Sequence, residues 1–176
     1  AEGLRRRDEE GLVRTETSVI ENPHAKETLA LLEAGQLDEP ARLSLARRYL
    51  PGGQIAPATL VARLTVDPSE AVRTTALATI GNMPLPILCA FAQDPELPPP
   101  FLRYLLCEYG EAEVSALVAA NPAVPVAALI EHAPGASAAA LEALHARKDL
   151  LQAERSLRDA LRKNPACAFL PELDAL

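Results

Sequence analysis

Leu117-Val118-Ala119-Ala120-Asn121-Pro122-Ala123-Val124-Pro125-Val126-Ala127-Ala128-Leu129-Ile130 joins two apolar helical runs through a polar-proline break. Asn121 offers a side chain suited to cap a helix, and Pro122 suits a first helical turn. The same dipeptide type stands at Asp67-Pro68 and Asp94-Pro95, so positions 67, 94 and 121 are evenly spaced and mark a repeat period of about 27 residues. One period earlier lies Asp38-Glu39-Pro40, offset by a single position. One period later, Lys148-Asp149 keeps only the capping acid. Prolines number 16, well above the roughly 5% of an average chain, and in a helical protein they belong at first turns and between helices.

Glycines punctuate the same period. Gly53 and Gly81 stand about one period apart, and Gly135 stands two periods beyond Gly81. Gly110 fills the remaining place slightly late, behind the triplet Pro98-Pro99-Pro100. Each is expected to take the left-handed conformation that ends a helix. A unit then reads cap, helix, glycine turn, second helix, next cap, and two helices of about 10 residues fit such a unit. Val72, Ala76, Leu77 and Ile80 form one apolar stripe, and Phe101, Leu105, Leu106 and Tyr109 repeat it. Ile87, Val114 and Leu141 fall one period apart in the second helices. An amphipathic helix is expected over 149–163, with Leu150, Ala153, Leu157, Ala160 and Leu161 on its dry side. No segment alternates in the manner of a strand. The expected fold is all-α, built of repeating helix pairs with units near 38–66, 67–93, 94–120, 121–148 and 149–176. Six core positions between units are expected at Val72, Leu77, Leu105, Leu106, Leu129 and Leu141.

Ahead of these units, residues 1–20 are mostly charged, with Arg5-Arg6-Arg7 followed by Asp8-Glu9-Glu10, and read as a solvated helix or a tail. The helical-repeat domain is expected over 21–176, with Asn22-Pro23 opening a helix through Leu29, Leu31 and Leu32 to Gly35. The 176 residues are 49% hydrophobic but only 3% aromatic, without tryptophan, so the core must come from Leu, Ala, Val and Ile. Net charge is −7 and uneven: from Thr74 to Ala146, Arg103 alone faces Asp94, Glu96, Glu108, Glu111, Glu113, Glu131 and Glu142. Phosphate backbones and anionic membranes are bound by Lys and Arg, so this stretch argues against both partners and for a basic one. A basic segment follows at Arg147, Lys148, Arg155, Arg158, Arg162 and Lys163, diluted by acids. Cys89, Cys107 and Cys167 are too few and too far apart for a disulfide framework and read as reduced and buried. With no signal peptide or long apolar run, the expected compartment is cytoplasmic.

Val72-Arg73-Thr74-Thr75-Ala76-Leu77-Ala78, then Gly81-Asn82-Met83-Pro84-Leu85-Pro86-Ile87-Leu88 and Ala92-Gln93-Asp94-Pro95, resemble the leucine-rich repeat variant, as does the 117–130 stretch. This bacterial helical repeat is related in architecture to HEAT repeats, and the resemblance covers roughly residues 40–148. It rests on an Asn-Pro or Asp-Pro, a second proline shortly after, and a leucine pair. It implies a right-handed α-solenoid (an α-α superhelix) whose surface binds proteins, by fold analogy. Some members carry an iron–sulfur cysteine cluster ahead of the repeats. This chain has no cysteine before Cys89, so that cofactor does not carry over.

The chemistry of catalysis is sparse. Cys89 and Cys107 lie far apart along the chain, as do His132 and His145, and neither pair has metal-site spacing. Cys107-Glu108 and His132 could meet only through the fold. Glu111 and Glu113, at i,i+2, do not face each other and read as helix-start acids. No glycine-rich phosphate loop occurs. The expected function is a non-enzymatic scaffold for protein–protein interaction, with no cofactor, no metal, and no catalytic residues. The alternatives are a nucleic-acid-acting HEAT-like protein such as a DNA glycosylase, or a lyase or small-molecule helper. Asn164-Pro165-Ala166-Cys167 restarts the signature, and Phe169, Leu170, Leu173 and Leu176 follow it. A bacterial chain that continues past Leu176, or self-association through this end, is therefore expected.

Overall fold

The computed structural model describes residues 23–47 and 55–168. Their regular structure is wholly helical: α1 (Pro23–Glu33), α2 (Glu39–Ala46), α3 (Ile55–Leu64), α4 (Glu70–Ile80), α5 (Leu85–Gln93), α6 (Pro99–Cys107), α7 (Ala112–Ala120), α8 (Val126–His132), α9 (Ala138–Ala146), α10 (Lys148–Ala153) and α11 (Arg155–Leu161), with a 3-10 turn at Ala133–Gly135. The expectations placed on residues 1–20, on Gly53 and on Phe169 to Leu176 fall outside the described residues.

Helices this short are marginal alone, so packing must hold them. α1 lies against α3, α3 against α5, α5 against α7, and α7 against α9. On the other side α2 lies against α4, α6 against α8, and α8 against α11. Contacts of α3 with α2 and α4, and of α6 with α7, join the two sides. One apolar core runs between them. Alanines at Ala76, Ala92, Ala119 and Ala140 are fully buried, which lets neighbouring backbones approach closely. Phe91 of α5 and Phe101 of α6 meet edge to face, centroids 5.7 Å apart. Val72, Leu105, Leu106, Leu129 and Leu141 are buried as expected. Leu77 is only half-buried, because it lines an open groove beside α4.

The helix starts differ in detail from the expected pattern. Asp38 does cap α2, accepting from the Ala41 amide at 2.9 Å. Asp67, Asp94 and Asn121 do not N-cap helices; Asp94 and Asn121 stand at the C-termini of α5 and α7. Their side chains accept from the amides of Ser69, Glu96 and Ala123, two positions on, each at 2.9 Å. Each builds an Asx-turn in the connecting loop. α4 starts behind Ser69, while α6 and α8 start behind Pro98 and Pro125, whose extended backbones precede the first turn. In the stretches opened by Asp94 and Asn121 the first proline thus belongs to the turn, and the helix follows the later one.

The glycines also divide. Gly35 (φ 67°) and Gly110 (φ 86°) are left-handed. Gly35 donates to the Leu32 carbonyl at 3.0 Å and Gln36 to that of Leu31 at 2.9 Å, closing α1 as expected. Gly81 instead stays right-handed, at φ −58°. The winding continues through Asn82 and Met83, which donate to the Thr79 and Ile80 carbonyls and bring Met83 into the core. Gly135 sits in the 3-10 turn, and its φ is not positive. The single helix expected over 149–163 is two helices, broken at Glu154 (φ −109°, ψ 90°). Arg158 bridges the break by donating to the Leu151 and Gln152 carbonyls. Ala153, expected on the dry side, is exposed.

Candidate functional site

Buried polar side chains tie successive loops together. The Asn121 amide nitrogen donates to Ala92 at 2.9 Å and to Asp94 at 3.1 Å, both backbone carbonyls one unit back. Arg147 stands where the next Asn would be and donates to the Ala119 and Asn121 carbonyls, at 3.0 and 3.2 Å. Burial lowers the Arg147 pKa, yet these carbonyls take its protons in place of water. Asn164 donates to Ala133 at 2.8 Å and to Ala136 at 3.0 Å. Asp67, 6% exposed, instead accepts from Arg42 Nε at 2.7 Å. The sequence signal for these rungs is asparagine rather than aspartate at 121 and 164. These residues hold the frame, their hydrogen bonds directed at neighbouring loops.

A cleft of about 430 Å³ opens where α6 and α8 end and α7 and α9 begin. Cys107, Ser115, Glu131, His132 and Ser137 line it. The fold therefore brings Cys107 and His132 to one cleft, while Glu108 lines a different one and His145 lines neither. A nucleophilic thiol needs a lowered pKa and a base in hydrogen-bond reach. Burial and the Glu131 carboxylate raise the Cys107 pKa, and its thiol donates to the Ala128 carbonyl at 3.7 Å. Burial lowers the pKa of His132, and its buried Nε2 has no hydrogen-bond partner. Ser115 points at the Leu106 carbonyl, and Ser137 caps α9. The arrangement does not form an activated nucleophile.

Cys89 likewise has its pKa raised, by burial and by Glu113. Cys167 is buried, while Cys89 and Cys107 are half-buried rather than buried. Among the described residues no three His, Cys, Asp or Glu side chains gather to hold a metal ion. Glu111 occupies the position before α7 and Glu113 its first turn, as expected for helix-start acids.

Charge is the more distinctive feature. Arg103, on α6, is clamped by Glu131 at 2.8 Å and by Glu108 at 3.0 Å. Glu96, Glu108, Glu111, Glu113, Glu131 and Glu142 are all exposed. A second opening, about 350 Å³, lies between α4 and α6, lined by Leu77, Phe101, Tyr104, Glu70 and Glu108 among others. Tyr104 stacks on Phe101 with centroids 6.4 Å apart, and burial raises its pKa. No single helix of the described residues is long and apolar enough to cross a membrane. α4 and α5 together would reach that length, but they bend by 117° and bury Val72, Ile80, Leu88 and Phe91 in the core. No family model, curated protein or solved structure matches this chain.

Proposed function

We propose that the chain is a non-enzymatic helical-repeat scaffold of the leucine-rich repeat variant or HEAT-like kind, a right-handed α-solenoid that binds a basic protein partner. The observation that carries the reading is the acidic middle. Its one base, Arg103, is taken up by Glu108 and Glu131, and Glu96, Glu111, Glu113 and Glu142 of the same stretch are also exposed. Such a surface favours encounter with a positively charged partner and disfavours a phosphate backbone. The stacking of α5, α7 and α9, with Ile87, Val114 and Leu141 at equal intervals of one period, supports the repeat reading. So do the hydrogen bonds from Asn121 and Arg147 to loops about one period back. The raised thiol pKa values of Cys89 and Cys107 and the lack of an activated nucleophile support a binding role over a catalytic one. The free thiols of Cys89 and Cys107 suit a reducing compartment such as the cytoplasm.

Titration with labelled polylysine, polyglutamate and duplex DNA tests the proposal. Polylysine should associate, and added salt should weaken it by screening. Duplex DNA shifted at physiological salt, with polylysine inert, would overturn it in favour of a nucleic-acid reader.

A further inference from the structure

The groove between α4 and α6 coincides with a seam in the packing. α2 lies closely on α4, and α6 on α8, but α4 and α6 do not pack on each other to the same extent. The proline triplet sets α6 back: Pro98 precedes it, and Pro99 and Pro100 occupy its first turn. The seam is also where the polar rungs lapse. Asn121 and Arg147 each donate to the preceding loop, but Asp94, in the corresponding place, has no donor. The loop carbonyls of Asp67 and Pro68 are instead taken by Arg73 of α4, at 2.6 and 3.0 Å. Among the described residues, no side-chain hydrogen bond crosses from the Asp67 loop to the Asp94 loop.

We propose that this groove is the docking site for a basic peptide segment with one apolar anchor residue. The proposal rests on the basic-partner reading and deepens it by naming the place. Leu77, Phe101 and Tyr104 form an apolar floor, of which Leu77 and Tyr104 remain partly open. The carboxylates of Glu70 and Glu108 stand exposed along it. Its lining cation, Arg73, donates to backbone carbonyls, and nearby Arg103 is committed to Glu108 and Glu131. The floor offers apolar contact to a leucine-sized side chain, while flanking Lys or Arg side chains would pair with Glu70 and share Glu108 with Arg103. Because no rung spans the seam, the two sides can adjust around the inserted side chain without breaking a buried hydrogen bond.

Fluorescence anisotropy on the full chain tests this with three labelled probes: Gly-Lys-Arg-Leu-Lys-Lys-Gly, the same peptide with serine for leucine, and an all-glutamate version of the charged positions. The first should bind, the second about tenfold more weakly, and the third not at all. Thr74→Arg, at an exposed position lining the groove, adds bulk and positive charge and should weaken the first probe by about tenfold or more. Gln152→Ala, away from the groove on α10, should leave it unchanged. Thermal melts of both variants matching wild type establish that they fold. Binding that survives Thr74→Arg overturns the groove while leaving the basic-partner reading intact. Binding that is indifferent to the leucine overturns the anchor. Failure of both basic probes to bind at physiological salt overturns the groove and the reading together.

Discussion

Asn121 does two things at once that an aspartate cannot. Its oxygen accepts from Ala123 to make the turn, and its nitrogen satisfies the Ala92 and Asp94 carbonyls of the preceding unit. Asn121→Asp keeps the first role and loses the second, stranding acceptors beside a 3% exposed side chain. It should cost about 1–3 kcal/mol, read as a lowered urea midpoint. Asn82→Ala, which removes an exposed bond to Ala78, should stay within about 0.5 kcal/mol. Equal midpoints for Asn121→Asp and wild type would mean that water replaces the lost donors.

His132 makes a pH prediction whose sign follows from burial. Its pKa is lowered from the ordinary 6.5 in the folded chain, so the unfolded chain takes up the proton first as pH falls. Stability contributed by the neutral form is full above the ordinary value. It declines as pH drops through that value toward the lowered one, and levels off below. His132→Asn should remove this component, seen as a wild-type-minus-variant difference in urea midpoint that falls as pH drops from about 7 to about 5. A difference that is flat across that window would contradict the burial argument. The thiols give a parallel test: raised pKa values at Cys89 and Cys107 predict slow iodoacetamide labelling at neutral pH, accelerating only in alkali.

At the scale of the element, the helices differ in how completely neighbours cover them. Leu105 and Leu129 are fully buried, so truncation to Ala should cost about 2–5 kcal/mol, measured by chemical denaturation. Leu77 belongs to the same kind of stripe but faces the groove, and Leu77→Ala should cost about 1 kcal/mol. A Leu77→Ala loss equal to that of Leu105→Ala would mean that the groove is closed in solution. The split of the last helix into α10 and α11 shows the limit of periodicity. Leu157, Ala160 and Leu161 keep their buried face, while the carbonyls of Leu151 and Gln152 turn to Arg158 across the break. A mean apolar pattern does not register where the backbone donors and acceptors of a helix are diverted to a side chain.

At the scale of the whole molecule, α5, α7 and α9 form a continuous stack, with rungs at Asn121 and Arg147, whereas the contact of α3 with α5 is slight and no such rung joins them among the described residues. Native-state hydrogen exchange should therefore show α1–α4 and α5–α11 opening as separate cooperative units, with the longest protection in α5, α7 and α9. Uniform protection across the seam would count against this division. The surface pairs of Arg103 with Glu108 and Glu131 are exposed and contribute little to this stability. They matter for the potential the surface presents.

Local chemistry alone determined the helical content, the approximate element positions and the acidic middle. Proline and glycine constrain φ, Asx side chains reach their own loops, and apolar spacing selects one helix face, all within a short stretch of chain. The even spacing of Asp67, Asp94 and Asn121 was equally visible, although its turns were mistaken for caps because both motifs use the same residues. Only the tertiary structure decided that Asn121 and Arg147 are rungs while Asp94 is not. It likewise decided that Cys107 and His132 share a cleft, and that Leu77 opens onto a groove. Each of these depends on distances between helices far apart in sequence, set by how alanine-rich faces and the displaced start of α6 pack in three dimensions, and no local rule encodes that spacing.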